Sequence, residues 1–164
     1  MANTNSVIDE SARKTSLRIA LIQLAYRKGI PAALDAAEDF IRQAREGGAD
    51  IAVLPEMFCC PYSTRKFPEY AQPEGGGICS RMADAAKEND IWLVAGSMPE
   101  LEICEDGSQK IYNTSFVYRP DGSTAAKHRK VHLFDIDVKA SEDDREKKKG
   151  PSGNKYFRDR KSTR

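Results

Sequence analysis

Between residues 17 and 138 the sequence predicts an α/β fold, on three observations. Short apolar runs of strand length alternate with segments whose apolar residues recur at helical spacing. Gly and Pro punctuate the changeovers. Near residue 120 a Pro-Asp-Gly turn between two strand-like runs announces a hairpin. Strands alternating with helices imply a sheet covered by helices on at least one face.

Taken in order, Leu17 to Leu24 (LRIALIQL) is the first strand-length run. From Pro31 the period changes: Leu34, Ala37, Ile41 and Ala44 share one helical face, reinforced by Phe40. Pro31 suits a first helical turn and Gly47-Gly48 supplies the stop. Asp50 to Pro55 (DIAVLP) reads as a second buried strand. Ile78, Met82, Ala85 and Ala86 mark a second helix ending near Asn89, and Ile91 to Ser97 (IWLVAGS) a third strand. Tyr112 to Tyr118 is strand-like, and Pro120-Asp121-Gly122 turns the chain back through Thr124 to Lys130. No internal repeat and no second domain are evident.

Composition narrows the classes. At 164 residues, 40% hydrophobic and 31% charged, the chain suits one domain with a real core. No run of about 18 apolar residues exists, so no membrane partner is expected. The four cysteines (59, 60, 79, 104) form no C-x-x-C pair and a poor disulfide framework, which points to reduced thiols. The net charge of +1 hides an asymmetry: residues 139–164 carry ten Lys/Arg against five Asp/Glu. Only Ala140, Tyr156 and Phe157 are hydrophobic there, too little to offset the entropy of ordering, so a disordered basic tail is expected. Lys147-Lys148-Lys149 has the look of a localisation signal or nucleic-acid patch; a solvated charge run fits the composition better, and no nucleic-acid partner is expected. Residues 1–16 are polar, lack an apolar core and contain Asp9 and Glu10, which suits a disordered leader on a cytoplasmic protein.

In α/β sheets the working residues gather past the carboxyl ends of strands. Three charged residues stand there: Glu56 in VLPEMF, Glu100 in GSMPE and Lys130 in AKHRKVHLFDID. One Pro-Glu alone would suit a cap or the surface. Two of them, with a basic strand end, point to a site.

VLPEMF, GSMPE and KHRKVHLFDIDV are similar to the successive motifs of the nitrilase superfamily of carbon–nitrogen hydrolases, and most of all to its omega-amidase branch. PYSTRKFPEYA and YNTSFVYRPDG resemble that branch too, and the likeness runs from Leu17 to Val138. The resemblance implies that residues 17–138 form the N-terminal half of an αββα sandwich. It also implies Cys-Glu-Lys hydrolysis, without cofactor or metal, of the terminal amide of 2-oxo dicarboxylic acid monoamides. Carried over by position, Glu56 takes the nucleophile's proton, Lys130 stabilises the oxyanion, and Glu100 orients Lys130 and the substrate. Such roles are physically coherent, because a carboxylate keeps a neighbouring lysine charged and a fixed cation at a developing oxyanion is a large catalytic factor. Phe58 and Tyr62 read either as acyl-pocket walls or as ordinary aromatics.

One departure stands out. The family's nucleophile belongs beyond Lys130 in a Gly-Ile-Cys-Tyr-Asp-like string, yet no cysteine follows Cys104. Gly77-Ile78-Cys79 copies half of that string, but it opens a helix and continues as Ser80-Arg81. Cys59 and Cys60 read as filler beside Glu56. His128 and His132, four apart at a strand end, do not make the helical metal pair. The expectation is that the tail from Lys139 stands where the second half of such a domain would be, and that this chain is catalytically incomplete. The alternative is a non-catalytic half-domain that pairs with a full-length family member. The expected partners are a small-molecule amide and either another copy or such a homologue.

Overall fold

Among the described residues a five-stranded sheet organises the fold, with strands ordered along it as they are along the sequence. The structure, a computed structural model, describes residues 16–25, 29–63 and 65–132. Residues 1–15 of the expected leader, and the tail expected from Lys139, lie outside the described residues. Strand β1 (Ile19–Leu21) leads to helix α1 (Ile30–Glu46) and strand β2 (Ile51–Val53). The short helix α2 (Phe67–Tyr70) and helix α3 (Gly77–Glu88) follow, then β3 (Trp92–Ile103), β4 (Gln109–Tyr118) and β5 (Thr124–Arg129). β1, β2 and β3 run parallel; β3, β4 and β5 form an antiparallel meander. The sheet is therefore mixed, as α/β patterning with a terminal hairpin implies.

The helices form where apolar spacing and terminators agree. Pro31 lies in the first turn of α1, and the helix stops at Gly47, with Gly48 taking the left-handed conformation (φ +79°) that a side chain would disfavour. Ala33, Leu34, Ala37 and Ile41 of α1 and Ile78, Cys79, Met82, Ala85 and Ala86 of α3 are buried against Ala52, Leu93, Ala95, Met98, Phe116 and Tyr118 of the sheet. Phe40 does not reinforce that stripe: it stands on the flank of α1, 38% exposed.

The other face of the sheet follows from alternation. Ala52 and Leu93 face the helices at 0% exposure, so Ile51, Val53, Trp92 and Val94 face away. Trp92 is 40% exposed, Ile19 53% and Leu21 81%. The first two strands are shorter than their apolar runs, three residues each, while the third runs through Pro99 to Ile103.

Candidate active site

A β-bulge sets the site. Ala95 pairs with Phe116 and Met98 with Thr114, so Gly96 and Ser97 together oppose Ser115 alone. Gly96 (φ +32°) presses so closely on the end of β2 that a Cβ would lie 2.1 Å from the Pro55 carbonyl oxygen. Ser97 holds the chain that leaves β2: its Oγ accepts from the Met57 N–H (3.0 Å) and its carbonyl from the Phe58 N–H (3.3 Å). Met57 adopts φ +52°, a left-handed conformation uncommon outside glycine, so this turn is tight and over-determined by its neighbours. The turn aims Glu56 over the face of the sheet that α1 and α3 leave open.

There Glu56 meets the end of β5. The Lys130 ammonium donates to Glu56 Oε1 at 2.7 Å, and Asn113 Nδ2 of β4 donates to the same oxygen at 2.8 Å. Lys130 is itself placed by β4, its N–H donating to the Asn113 carbonyl (2.8 Å). Both side chains keep access to solvent, at 45% for Glu56 and 32% for Lys130. Partial burial pushes the Glu56 carboxyl up, but the hydrogen bonds from Lys130 and Asn113, the charge of Lys130 and a contact with the Tyr62 hydroxyl hold it below the usual carboxylate range. The hydrogen bond to Glu56 in turn raises Lys130. At neutral pH the pair is therefore carboxylate and ammonium. Around it Leu54, Val94, Gly96, Ser97, Ser115 and His128 line an open pocket. A fixed proton acceptor beside a fixed cation can serve a reaction in which a proton leaves a nucleophile while negative charge grows on an oxygen.

Glu100 does not join them. It lies inside β3 instead of past its end, and pairs across with Tyr112, whereas Lys130 follows the register of Asn113. Strand alternation puts it on the helix-side face with Met98, Thr114 and Phe116. There, at 3% exposure, its carboxylate accepts from Lys127 Nζ, from Arg129 Nε (3.0 Å) and Nη2 (2.8 Å), and from Thr114 Oγ1 (2.7 Å). Burial pushes this carboxyl up, yet Arg129, Lys127 and Thr114 outweigh it and bring it to about 2. Glu100, expected to orient Lys130 and the substrate, thus has Thr114, Lys127 and Arg129 as its partners and lies on the face of the sheet opposite Lys130.

The two aromatics separate as well. Phe58 is buried among the core side chains (4% exposed), so it does not wall the open pocket. Tyr62 is 57% exposed, stacks edge-on against Phe67 and reaches Glu56. Cys59, Cys60 and Cys79 are buried and free; Cys79 faces Met98 from the first turn of α3. A hydrogen bond with Cys60, together with burial, pushes the Cys59 thiol far up, the opposite of an activated nucleophile. Among the described residues no group of three His, Cys, Asp or Glu side chains is placed to hold a metal, and no helix is long and apolar enough to cross a membrane.

Asn113 and Ser97 escaped the sequence reading, as did the Lys127–Arg129 pair. The signal for Asn113 was present: counting by twos back from core residues Tyr118 and Phe116 puts Asn113 and Ser115 on the other face. Ser97 had none, because the bulge that exposes its hydroxyl to the Met57 amide is a tertiary feature.

Known proteins resemble the chain along most of this length. The family model described as carbon-nitrogen hydrolase matches residues 18–161, which runs past the boundary expected at Val138. Omega-amidase NIT2 of Homo sapiens is 47% identical over 124 residues, 76% of this chain and 43% of that protein; the Mus musculus protein is 45% identical over the same shares. The chain thus spans less than half the length of these relatives. Among solved structures, Saccharomyces cerevisiae Nit3, a member of branch 10 of the nitrilase superfamily, superposes with a TM-score of 0.63 at 36% identity, covering 71% of this chain and 45% of that one. A glutamate-to-glutamine mutant of the amidase of Nesterenkonia sp. AN1, showing the result of Michael addition of acrylamide at the active site cysteine, gives 0.62 at 26% identity over 74% and 46%.

Proposed function

The chain belongs to the carbon–nitrogen hydrolase family, and from that premise we propose that its Glu56–Lys130 face is part of an omega-amidase-like site. Glu56 takes a proton from a thiol nucleophile and later from water. Lys130 stabilises the oxyanion of the tetrahedral intermediate, and Tyr62 borders the acyl group. The relatives' name, omega-amidase, supports an amide as substrate; the class proposed is the terminal amide of 2-oxo dicarboxylic acid monoamides. The observation that carries the reading is the 2.7 Å contact between two groups with no local reason to meet. Four free thiols suit a reducing, cytoplasmic setting.

None of the four cysteines takes the nucleophile's part. Three are buried, and the thiolate is the species that must attack. The 164-residue polypeptide alone therefore leaves amide hydrolysis near background. The test compares ammonia release from a 2-oxo acid monoamide by this polypeptide and by a chimera in which residues 17–138 replace the matching segment of a full-length omega-amidase. The chimera turns over; Glu56→Gln or Lys130→Met within it lowers kcat by roughly 10²–10³ or more. A Glu56→Gln chimera as fast as its parent, or equal rates for polypeptide and chimera, overturns the assignment.

A second reading rests on the open sheet face, where Ile19, Leu21 and Trp92 are exposed. On it the chain is a non-catalytic half-domain that covers this face with a full-length family member. Co-purification with such a homologue, with no gain in ammonia release, distinguishes this reading from the first.

A further inference from the structure

We propose that Glu100 is a positioning residue for Lys130, gripping β5 from the opposite face of the sheet so that the strand ends with Lys130 over Glu56. This rests on the reading of Glu56 and Lys130 as one site, and it assigns Glu100 no contact with substrate.

Among the described residues β5 is an edge strand, hydrogen-bonded to β4 alone, and its ladder is irregular between Val117 and Tyr118, next to the turn. A hairpin with such an irregularity does not fix its register by turn geometry alone. The consequence of error is severe, because a slip of one residue would carry Lys130 to the helix-side face and bring Arg129 round in its place. Something other than the ladder must hold β5.

Glu100 is placed to do so. From β3 it reaches over β4 to two residues of β5, Lys127 and Arg129, which share its face because they pair with Phe116 and Thr114. The guanidinium engages both carboxylate oxygens, a planar fork that fixes orientation as well as distance. The grip is reinforced around its rim. Thr114 donates to Glu100 Oε2, Glu102 accepts from Arg129 Nη2 (2.9 Å), and the guanidinium lies 3.9 Å above the Tyr112 ring. Beyond the bulge β3 is itself anchored, since the Gln72 N–H donates to the Pro99 carbonyl and the Leu101 N–H to the Gln72 carbonyl. Lys130 is the first residue past this clamp. Its ammonium emerges on the open face because Arg129 is held on the other.

The test reads geometry and not catalysis, so its failure is separable from failure of the amidase reading. In carboxyl-carbon NMR of the full 164-residue chain, Glu100→Gln keeps the fold but moves the Glu56 midpoint up toward the ordinary glutamate range. Glu46→Gln, on the exposed side of α1, leaves it in place. A folded Glu100→Gln chain with an unchanged Glu56 midpoint overturns the proposal. Should that variant lose its amide dispersion, Arg129→Lys keeps the charge and loses the fork, and the same two outcomes apply. Hydrogen exchange on the unsubstituted chain provides a further check without any variant. The Lys130 amide, at the edge gripped by Glu100, exchanges at least about tenfold more slowly than the Ile22 amide, which bonds to Val53 past the end of β1, away from the Arg18 contacts at the start of that strand. Equal rates at the two edges also overturn the proposal.

Discussion

Glu56 and Lys130 stand 74 residues apart in sequence and 2.7 Å apart in space, and a third residue, Asn113, ties both to β4, Glu56 through its side chain and Lys130 through its carbonyl. Glu56 comes off a parallel strand and Lys130 off the end of an antiparallel hairpin, so the parallel and meander parts of the sheet each contribute one charge. The bulge at Gly96 and Ser97 braces the turn that carries Glu56 toward the end of β5.

Replacing Lys130 with Met raises the Glu56 midpoint. The ammonium supplies both a hydrogen bond and a charge that lower it, and burial is the largest influence in the opposite direction. A carboxyl-carbon NMR titration of the two chains measures this. A midpoint unmoved by the substitution contradicts the pairing.

Acid weakens the fold through Glu100. Its carboxyl falls from the usual 4.5 to about 2 on folding, so its stabilisation is complete above about pH 4.5 and is lost as pH drops toward 2. The contribution is on the order of 3 kcal/mol. Urea midpoints measured from pH 7 down to 2.5 fall steeply in the parent chain. In Glu100→Gln they start lower and fall less. Parallel profiles would count against the assignment.

Gly96→Ala is the most damaging small substitution near the site. Its methyl would sit 2.1 Å from the Pro55 oxygen at φ +32°, so the bulge or the Glu56 turn must give way, at a cost of about 2–4 kcal/mol. Ser97→Ala removes only the acceptor for the Met57 amide and costs about 1–2 kcal/mol. Thermal unfolding of both variants checks the order, which reverses if the turn does not lean on the bulge.

Thiol labelling separates the cysteines. Cys59, Cys60 and Cys79 are at most 7% exposed, whereas Cys104 is partly open at the β3–β4 turn. Brief iodoacetamide treatment followed by peptide mass analysis finds Cys104 modified first, with the other three following only on unfolding. Rapid labelling of Cys79 or Cys60 in the folded chain would reopen the search for a nucleophile among them.

Much of this was legible in the sequence because the signals were local. The α1 stripe, the Gly47-Gly48 stop and the Pro120-Asp121-Gly122 turn each follow from a few adjacent residues. Glu56 and Lys130 followed from strand ends and the motif likeness. Glu100 misled because Pro99 reads as the end of a strand. In the fold Pro99 turns its N and O away from β4, toward Gln72, so its missing N–H removes no bond from the β3–β4 ladder and the strand continues. With the strand continuing, the bulge resets the alternation and sends Glu100 to the helix side. Phe40 misled for a simpler reason: Ala33 completes the buried stripe beside Leu34 and Ala37, and the larger ring is left at its margin.

Trp92 is the only tryptophan, and it lies on the sheet face turned away from α1 and α3, 40% exposed. The chain thus carries one native tryptophan fluorophore, placed to report on whatever comes over the face turned away from the helices. Its emission, red-shifted and readily quenched by iodide in the isolated polypeptide, turns blue and shielded when a second layer lies down on that face. Coverage of the face that holds Glu56 and Lys130 can therefore be followed in real time without a label, before any chemistry is assayed.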